Sequence, residues 1–242
     1  MKRNQQWFLF YLCKLPLSKN KNMLEASTLK FLKDLGKNNN KAWFESHRKQ
    51  YESAKSDFNL FIEALIKKIA VFDKPIGELA AKNCTFRINR DVRFSKNKSP
   101  YKNNMAGYFN KDGKKGIGSG YYFHLQPGES FAAAGIWMPE PEVLSKIRQE
   151  IDYNFDEWKK TISSSSFKKN FPGGLENRES LSRPPKGYDA DNPAIDFLKM
   201  KSFIVTKRFT DDELTGKTAA TNIANTFKQL KPLIDFLNRA ID

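Results

Sequence analysis

With 242 residues, 39% of them hydrophobic and 20 of them Phe, the chain carries enough apolar side-chain area for a packed core, which excludes a disordered or low-complexity protein. Two cysteines, Cys13 and Cys84, are too few for a disulfide framework and point to a reducing, cytoplasmic setting, with a single bridge left open. The formal net charge of +15 is localised, since residues 81–120 hold ten Lys/Arg against two Asp/Glu, whereas residues 121–242 hold seventeen of each.

Residues 1–22 hold five Lys/Arg and no acid. Lys2-Arg3 followed by the apolar run Trp7–Cys13 has the layout of a short signal sequence, but the run is too short to span a bilayer and lacks a small-residue cleavage site. The sequence becomes cleaner from Met23. The expected division is a leader, 1–22, outside the fold, with Met23 as the natural start, and one domain over 23–242; an export signal is the alternative. Ser27–Leu35 reads as a short amphipathic helix with Gly36 behind it. From Lys41 onward Phe44, His47, Tyr51, Ala54, Phe58, Phe61, Leu65 and Ile69 recur every three or four residues, one face of a long helix with a break expected at Lys55-Ser56-Asp57. Pro75-Ile76-Gly77 ends the helical region.

Four strands are expected next: Thr85–Ile88, Met105–Phe109, Tyr121–Gln126 and Ser130–Met138, the last two joined through Pro127-Gly128. Pro141 starts a helix through Ile151, Asn154 caps another through Trp158, and Ser163–Ser166 reads as frayed or loop. An irregular stretch around Gly173-Gly174 and Pro184-Pro185 leads to a short helix ending at Leu198. Ser202–Phe209 is a further strand, and Thr221–Ile241 a closing helix kinked or split at Pro232. Helices, then a meander, then helices give an α+β class, an antiparallel sheet of four to six strands flanked by helices.

The segment Phe86–Lys102 concentrates the functional signal, with three Arg and three Lys among aromatics, hydroxyls and amides. Guanidinium forks suit phosphate or carboxylate. The anion-binding candidates are Arg87, Arg90, Arg93, Ser95, Lys98, Tyr101 and Lys102. Asp91 is placed to orient the arginines, and His124, Trp137, Tyr188 and Asp189 are candidates for the rim. Arg87, Arg90, Arg93 and Lys102 are expected to converge on one concave spot with Trp137 or Tyr188 beside it. The glycine loop 113–120 is not a phosphate loop, because no Gly-Lys-Ser/Thr leads onto a helix. No spacing of His, Cys or acids matches a metal site, so neither metal nor cofactor is expected, and no Ser-His-Asp or Cys-His pattern supports acyl transfer.

Arg90-Asp91-Val92-Arg93-Phe94-Ser95 followed by Lys98-Ser99-Pro100-Tyr101-Lys102 resembles the hallmark of domain-of-unknown-function family 2461, a mostly bacterial family. Trp43-Phe44, Gly120-Tyr121-Tyr122, Gly135-Ile136-Trp137-Met138-Pro139 and Gly187-Tyr188-Asp189 agree with it, so that the resemblance runs from Met23 to the C-terminus. It implies no activity and no catalytic residues. Three readings stay open: a pocket for a small phosphate- or carboxylate-bearing ligand, with or without catalysis; a nucleic-acid binder; and a non-catalytic structural or interaction module. Partners are a small anionic ligand ahead of nucleic acid, with no membrane span and no expectation about oligomer state.

Overall fold

Residue pattern and capping account for the helices in the structure, a computed structural model that describes residues 21–176 and 179–241. Helix α1 (Ala26–Lys37) buries Leu29, Phe31, Leu32 and Leu35. The side chain of Asn40 accepts from the Trp43 N–H at 3.0 Å and starts α2 (Lys41–Ser46). The expected long helix is interrupted at His47, not at residues 55–57. His47 leaves helical geometry (φ −108°, ψ 16°) with its ring stacked 4.0 Å from Trp43. Helix α3 (Arg48–Ile69) then runs unbroken. Asp57 does not break it because its carboxylate turns into the core, where it accepts from the Glu25 N–H at 3.0 Å and the Thr28 hydroxyl at 2.5 Å. It ties α3 to the start of α1.

A 3-10 turn at Lys74–Glu78 and the short α4 (Ala81–Cys84) lead into the basic segment. The strand expected at Thr85–Ile88 is reduced to isolated contacts: Thr85 bridges Gly107, and Asn89 bridges Tyr101. The reason is local. Pro100 has no N–H to donate back across the hairpin to the Arg90 carbonyl, and the Asn39 side chain holds both backbone groups of Tyr101, at 2.9 and 3.0 Å, on the edge turned away from Asn89. Residues 88–102 therefore form an irregular hairpin, held by Lys102 N–H to Ile88 O at 2.8 Å and Arg90 N–H to Pro100 O at 2.9 Å.

The sheet consists of β1 (Met105–Phe109), β2 (Gly120–Leu125), β3 (Phe131–Ile136) and β4 (Phe203–Arg208), antiparallel in the order β1-β2-β3-β4. The class is α+β with a four-stranded antiparallel meander flanked by helices, as the sequence indicates. Between β3 and β4 the chain builds α5 (Pro141–Tyr153), α6 (Phe155–Ser163), α7 (Ser165–Asn170) and α8 (Ile195–Leu198). The serine run is not loop, because the Ser164 hydroxyl accepts from the Phe167 N–H at 3.2 Å and caps α7. After β4, a capping box of Thr210 and Glu213 starts α9 (Asp211–Thr215). Helix α10 (Ala219–Arg239) continues through Pro232. Pro232 and Lys228 are exposed, so the carbonyl released by the missing N–H faces water.

Helices α3 and α10 cover one face of the sheet. Phe58 and Phe61 pack on Phe123 at 6.2 and 5.5 Å, and Phe227 lies 5.1 Å from Tyr121. Fully buried Trp158 of α6 meets Phe197, Phe203 and Phe236 and closes the core at one end. The leader expectation concerns residues outside the described set except Lys21 and Asn22. Of these, Lys21 pairs with Asp57 at 2.5 Å, and the Asn22 carbonyl accepts from the Ala220 N–H at 2.9 Å. Among the described residues, no helix is long and apolar enough to cross a membrane.

Candidate functional site

Among the described residues no helix packs on the second face of the sheet, and its side chains follow from strand alternation. On β2, Tyr121, Phe123 and Leu125 point into the core, so Tyr122 and His124 point the other way. Register aligns Tyr108, Tyr122, Ala133 and Thr206 in one row across the four strands, and Ala106, His124, Phe131 and Arg208 in the next. The alanines give this floor its depth. Loops and the 86–102 segment rise around it, and the trough so formed has a volume of about 1640 Å³.

A chain of hydrogen bonds crosses the floor. The Tyr122 hydroxyl lies 3.1 Å, and the Asn104 amide nitrogen 3.3 Å, from His124 Nδ1. Both are donors at these contacts, so Nδ1 is the acceptor and the ring proton sits on Nε2, which donates to Gln126 Oε1 at 3.1 Å. The Gln126 amide in turn donates to the Glu129 carboxylate. Phe131 stacks on the imidazole at 4.7 Å with an interplanar angle of 11°. Burial holds His124 below the ordinary imidazole value, against the hydrogen bond it donates to Gln126 and the charge of Glu129, which raise it. Burial likewise pushes the Tyr122 hydroxyl up.

Arg87, Arg90 and Lys102 line the wall beyond β1. Among the described residues none of the three forms an ion pair. Arg90 is fixed by donating to Ser99 O at 3.2 Å and Ser95 Oγ at 3.3 Å. Lys102 lies over the Phe86 ring at 5.7 Å. Burial first, and then the nearby Arg87 charge, lower its ammonium from the usual lysine value. Arg90, Lys102 and Asn104 also line a smaller polar cleft of about 320 Å³, shared with Asn39, Asn97 and Tyr101.

The other residues singled out from the sequence are divided. Asp91 lines the trough, yet its carboxylate is taken by Arg93 in a bidentate pair at 3.0 and 2.7 Å, with Arg93 itself 76% exposed and outside the trough lining. That guanidinium holds the Asp91 carboxyl below its usual range. Ser95 serves Arg90, and Lys98 donates to Val92 O at 3.1 Å, so both hold the hairpin together. Tyr101 is buried, its ring stacked 4.0 Å from Phe44, and it faces the smaller cleft. Trp137, 73% exposed, stands on the trough rim next to Met138, whose φ of 44° is unusual for a residue with a side chain. Tyr188 and Asp189 are not part of the trough; Tyr188 packs against the core beside Arg148. The expected convergence thus includes Arg87, Arg90, Lys102 and Trp137 and leaves out Arg93 and Tyr188.

Sequence reading missed Tyr122, Asn104 and Gln126 as site residues. The alternation of Tyr121–Gln126 puts Tyr122, His124 and Gln126 on one face, and that was the available signal. The glycine loop is pinned in place: Tyr108 donates to Gly118 O at 2.8 Å, Asn110 donates to Ser119 O at 2.9 Å, and Asn238 accepts from the Ser119 N–H at 2.8 Å. No group of three or more His, Cys, Asp or Glu suited to a metal occurs among the described residues.

Fold and site together define a class: an α+β domain whose antiparallel meander is packed by helices on one face and, among the described residues, forms a polar, cation-walled trough on the other. A family model described as a conserved hypothetical protein, DUF2461, matches residues 27–236. The chain belongs to this family. Neither a curated protein nor a solved structure matches it.

Proposed function

We propose that the trough binds a small organic anion, its phosphate or carboxylate held by Arg87, Arg90 and Lys102 and its body resting on the Ala106–Tyr122–Ala133 floor under Trp137. One observation carries this reading: three cations without an ion pair among the described residues face one cavity, and Asp91, next to Arg90 in the chain, is engaged by Arg93. Like charges held on one wall without an ion pair repel, and the effect grows as water is excluded. Burial first and the Arg87 charge second lower the Lys102 ammonium, and a bound anion offsets both. A cytoplasmic site fits the buried, free thiol of Cys84.

The test is calorimetric titration with inorganic phosphate and with malonate. Removing a charge-assisted hydrogen bond costs about 1.5–3 kcal/mol, so Arg87→Ala and Lys102→Ala should each weaken binding by about tenfold or more. Arg93→Ala should change it little. No binding of either anion, or equal loss in Arg93→Ala, would overturn the reading.

A nucleic-acid surface is the second reading, favoured by Phe94, which is 95% exposed beside Arg93 and outside the trough lining.

A further inference from the structure

The hydrogen-bond chain on the floor does more than hold a ligand. His124 has an acceptor lone pair on Nδ1, and its opposite nitrogen is locked as a donor by Gln126, which is itself fixed by Glu129. A base oriented by a third group is the arrangement proton transfer requires. Beside the lone pair stands the Tyr122 hydroxyl, a donor 3.1 Å away. A base and a donor side by side match a carbonyl compound, whose acidic C–H faces the base and whose oxygen faces the donor. The anion wall adjoins this pair directly. Asn104, which touches His124 Nδ1, lines the same two cavities as Arg90 and Lys102.

We propose that His124 is the general base of an enolisation site, acting on a small oxo acid or oxo phosphate whose anionic group is held by Arg90 and Lys102. This rests on the anion-binding reading above. On binding, the ligand displaces the longer Asn104 contact, and the Tyr122 hydroxyl turns from Nδ1 to the ligand's carbonyl oxygen. The C–H bond next to that carbonyl breaks. Its proton goes to Nδ1, and its electron pair moves through the carbon to the oxygen as an enolate held by Tyr122. The imidazolium keeps its Nε2–H on Gln126 beside the Glu129 carboxylate. Return of the proton to the same carbon restores the carbonyl compound and neutral His124, so no oxidant, reductant or co-reactant is consumed. The ring is neutral at neutral pH because burial lowers it. The charged group that acts on it is Glu129 after β2; Arg208 of β4 lies two strands away beyond Phe131, and Lys102 ahead of β1 lines the same trough.

The experiment is hydrogen-to-deuterium exchange at carbon, followed by proton NMR in D2O, with pyruvate as the carboxylate probe and dihydroxyacetone phosphate as the phosphate probe. The full chain should exchange at least one probe well above buffer. His124→Gln should slow this by about 100-fold or more, the scale of general-base catalysis. The rate should rise with pH through a midpoint below the ordinary imidazole value of about 6.5 and then level off. Gln126→Leu leaves the ring in place if His124→Gln fails to fold. It should slow exchange and move the midpoint lower, since the Gln126 contact raises the imidazole. Absence of exchange with both probes, while phosphate and malonate still bind, overturns this inference alone. Absence of exchange and of anion binding overturns both. Unchanged exchange in His124→Gln, or an unmoved midpoint in Gln126→Leu, also overturns it.

Discussion

Cys84 shows how one buried residue reports on the whole domain. Its side chain is fully buried, and desolvation pushes the thiol up to about 11, against a weak opposing pull from Lys114. At pH 8 only about one thiol in a thousand is ionised at that value. In a Cys13→Ser background, Cys84 should therefore resist a disulfide reagent at pH 8 and react at once in denaturant, as followed by release of the coloured thiolate. Prompt reaction of the folded protein would show that the packing around α4 opens readily. His124 illustrates the opposite visibility. Its place in a strand was readable from the sequence. Which face of that strand stays uncovered was not, because alternation separates two faces without saying where the helices dock. Tyr122, Asn104 and Gln126 went unnoticed for that reason, and Tyr101 looked functional because a rigid Pro-Tyr corner does not reveal that Phe44 will stack on it.

At the level of elements, periodicity did most of the work. The steps of three and four in α1, α3 and α10, and the alternation in β1 to β4, reflect burial on one side and are written into the residues themselves. Breaks and bridges depend on distant partners and were harder to read. Asp57 looked like a helix breaker until the α1 N–H and hydroxyl groups that satisfy it were in view, and the strand expected at 85–88 is cut short opposite Pro100, which accepts from Arg90 but has no N–H to return. Gly135 is the element-scale position most open to test. Its φ of 133° lies in the region glycine favours, and a methyl group there would run into the backbone carbonyl of Phe203. Because the obstacle is the main chain of paired β4, side-chain rotation cannot relieve it. Gly135→Ala should cost about 2–3 kcal/mol, read as a lower denaturant midpoint with an unchanged slope. A cost under 0.5 kcal/mol would mean that the β3–β4 ladder shifts freely.

For the whole molecule, the decisive quantity is where its charge sits. The net +15 invites a nucleic-acid reading. The cations of the trough wall, however, stand in a concavity that also contains Glu129, Glu140 and Glu179, whereas a strand-binding surface presents a continuous positive track. Random single-stranded oligonucleotides should accordingly bind weakly at about 150 mM salt, where each phosphate contact would contribute a log–log salt slope near −0.7. Tight binding with a steep slope, lost in a Phe94→Ala, Arg93→Ala double variant, would move the function out of the trough to the exposed hairpin tip.

The connection between neighbouring strands β3 and β4 spans residues 137–202 and contains four helices. During synthesis β1, β2 and β3 can pair as soon as they emerge, but β3 must wait for its second partner. For that interval the Phe131–Ile136 edge, rich in alanine and without charge, is an open template for another chain. The loop-closure cost grows only slowly with length, so the delay is set by translation more than by entropy. The vulnerable nascent state of this protein is thus a three-stranded one, and chaperone dependence should concentrate in the window between completion of β3 and arrival of Phe203.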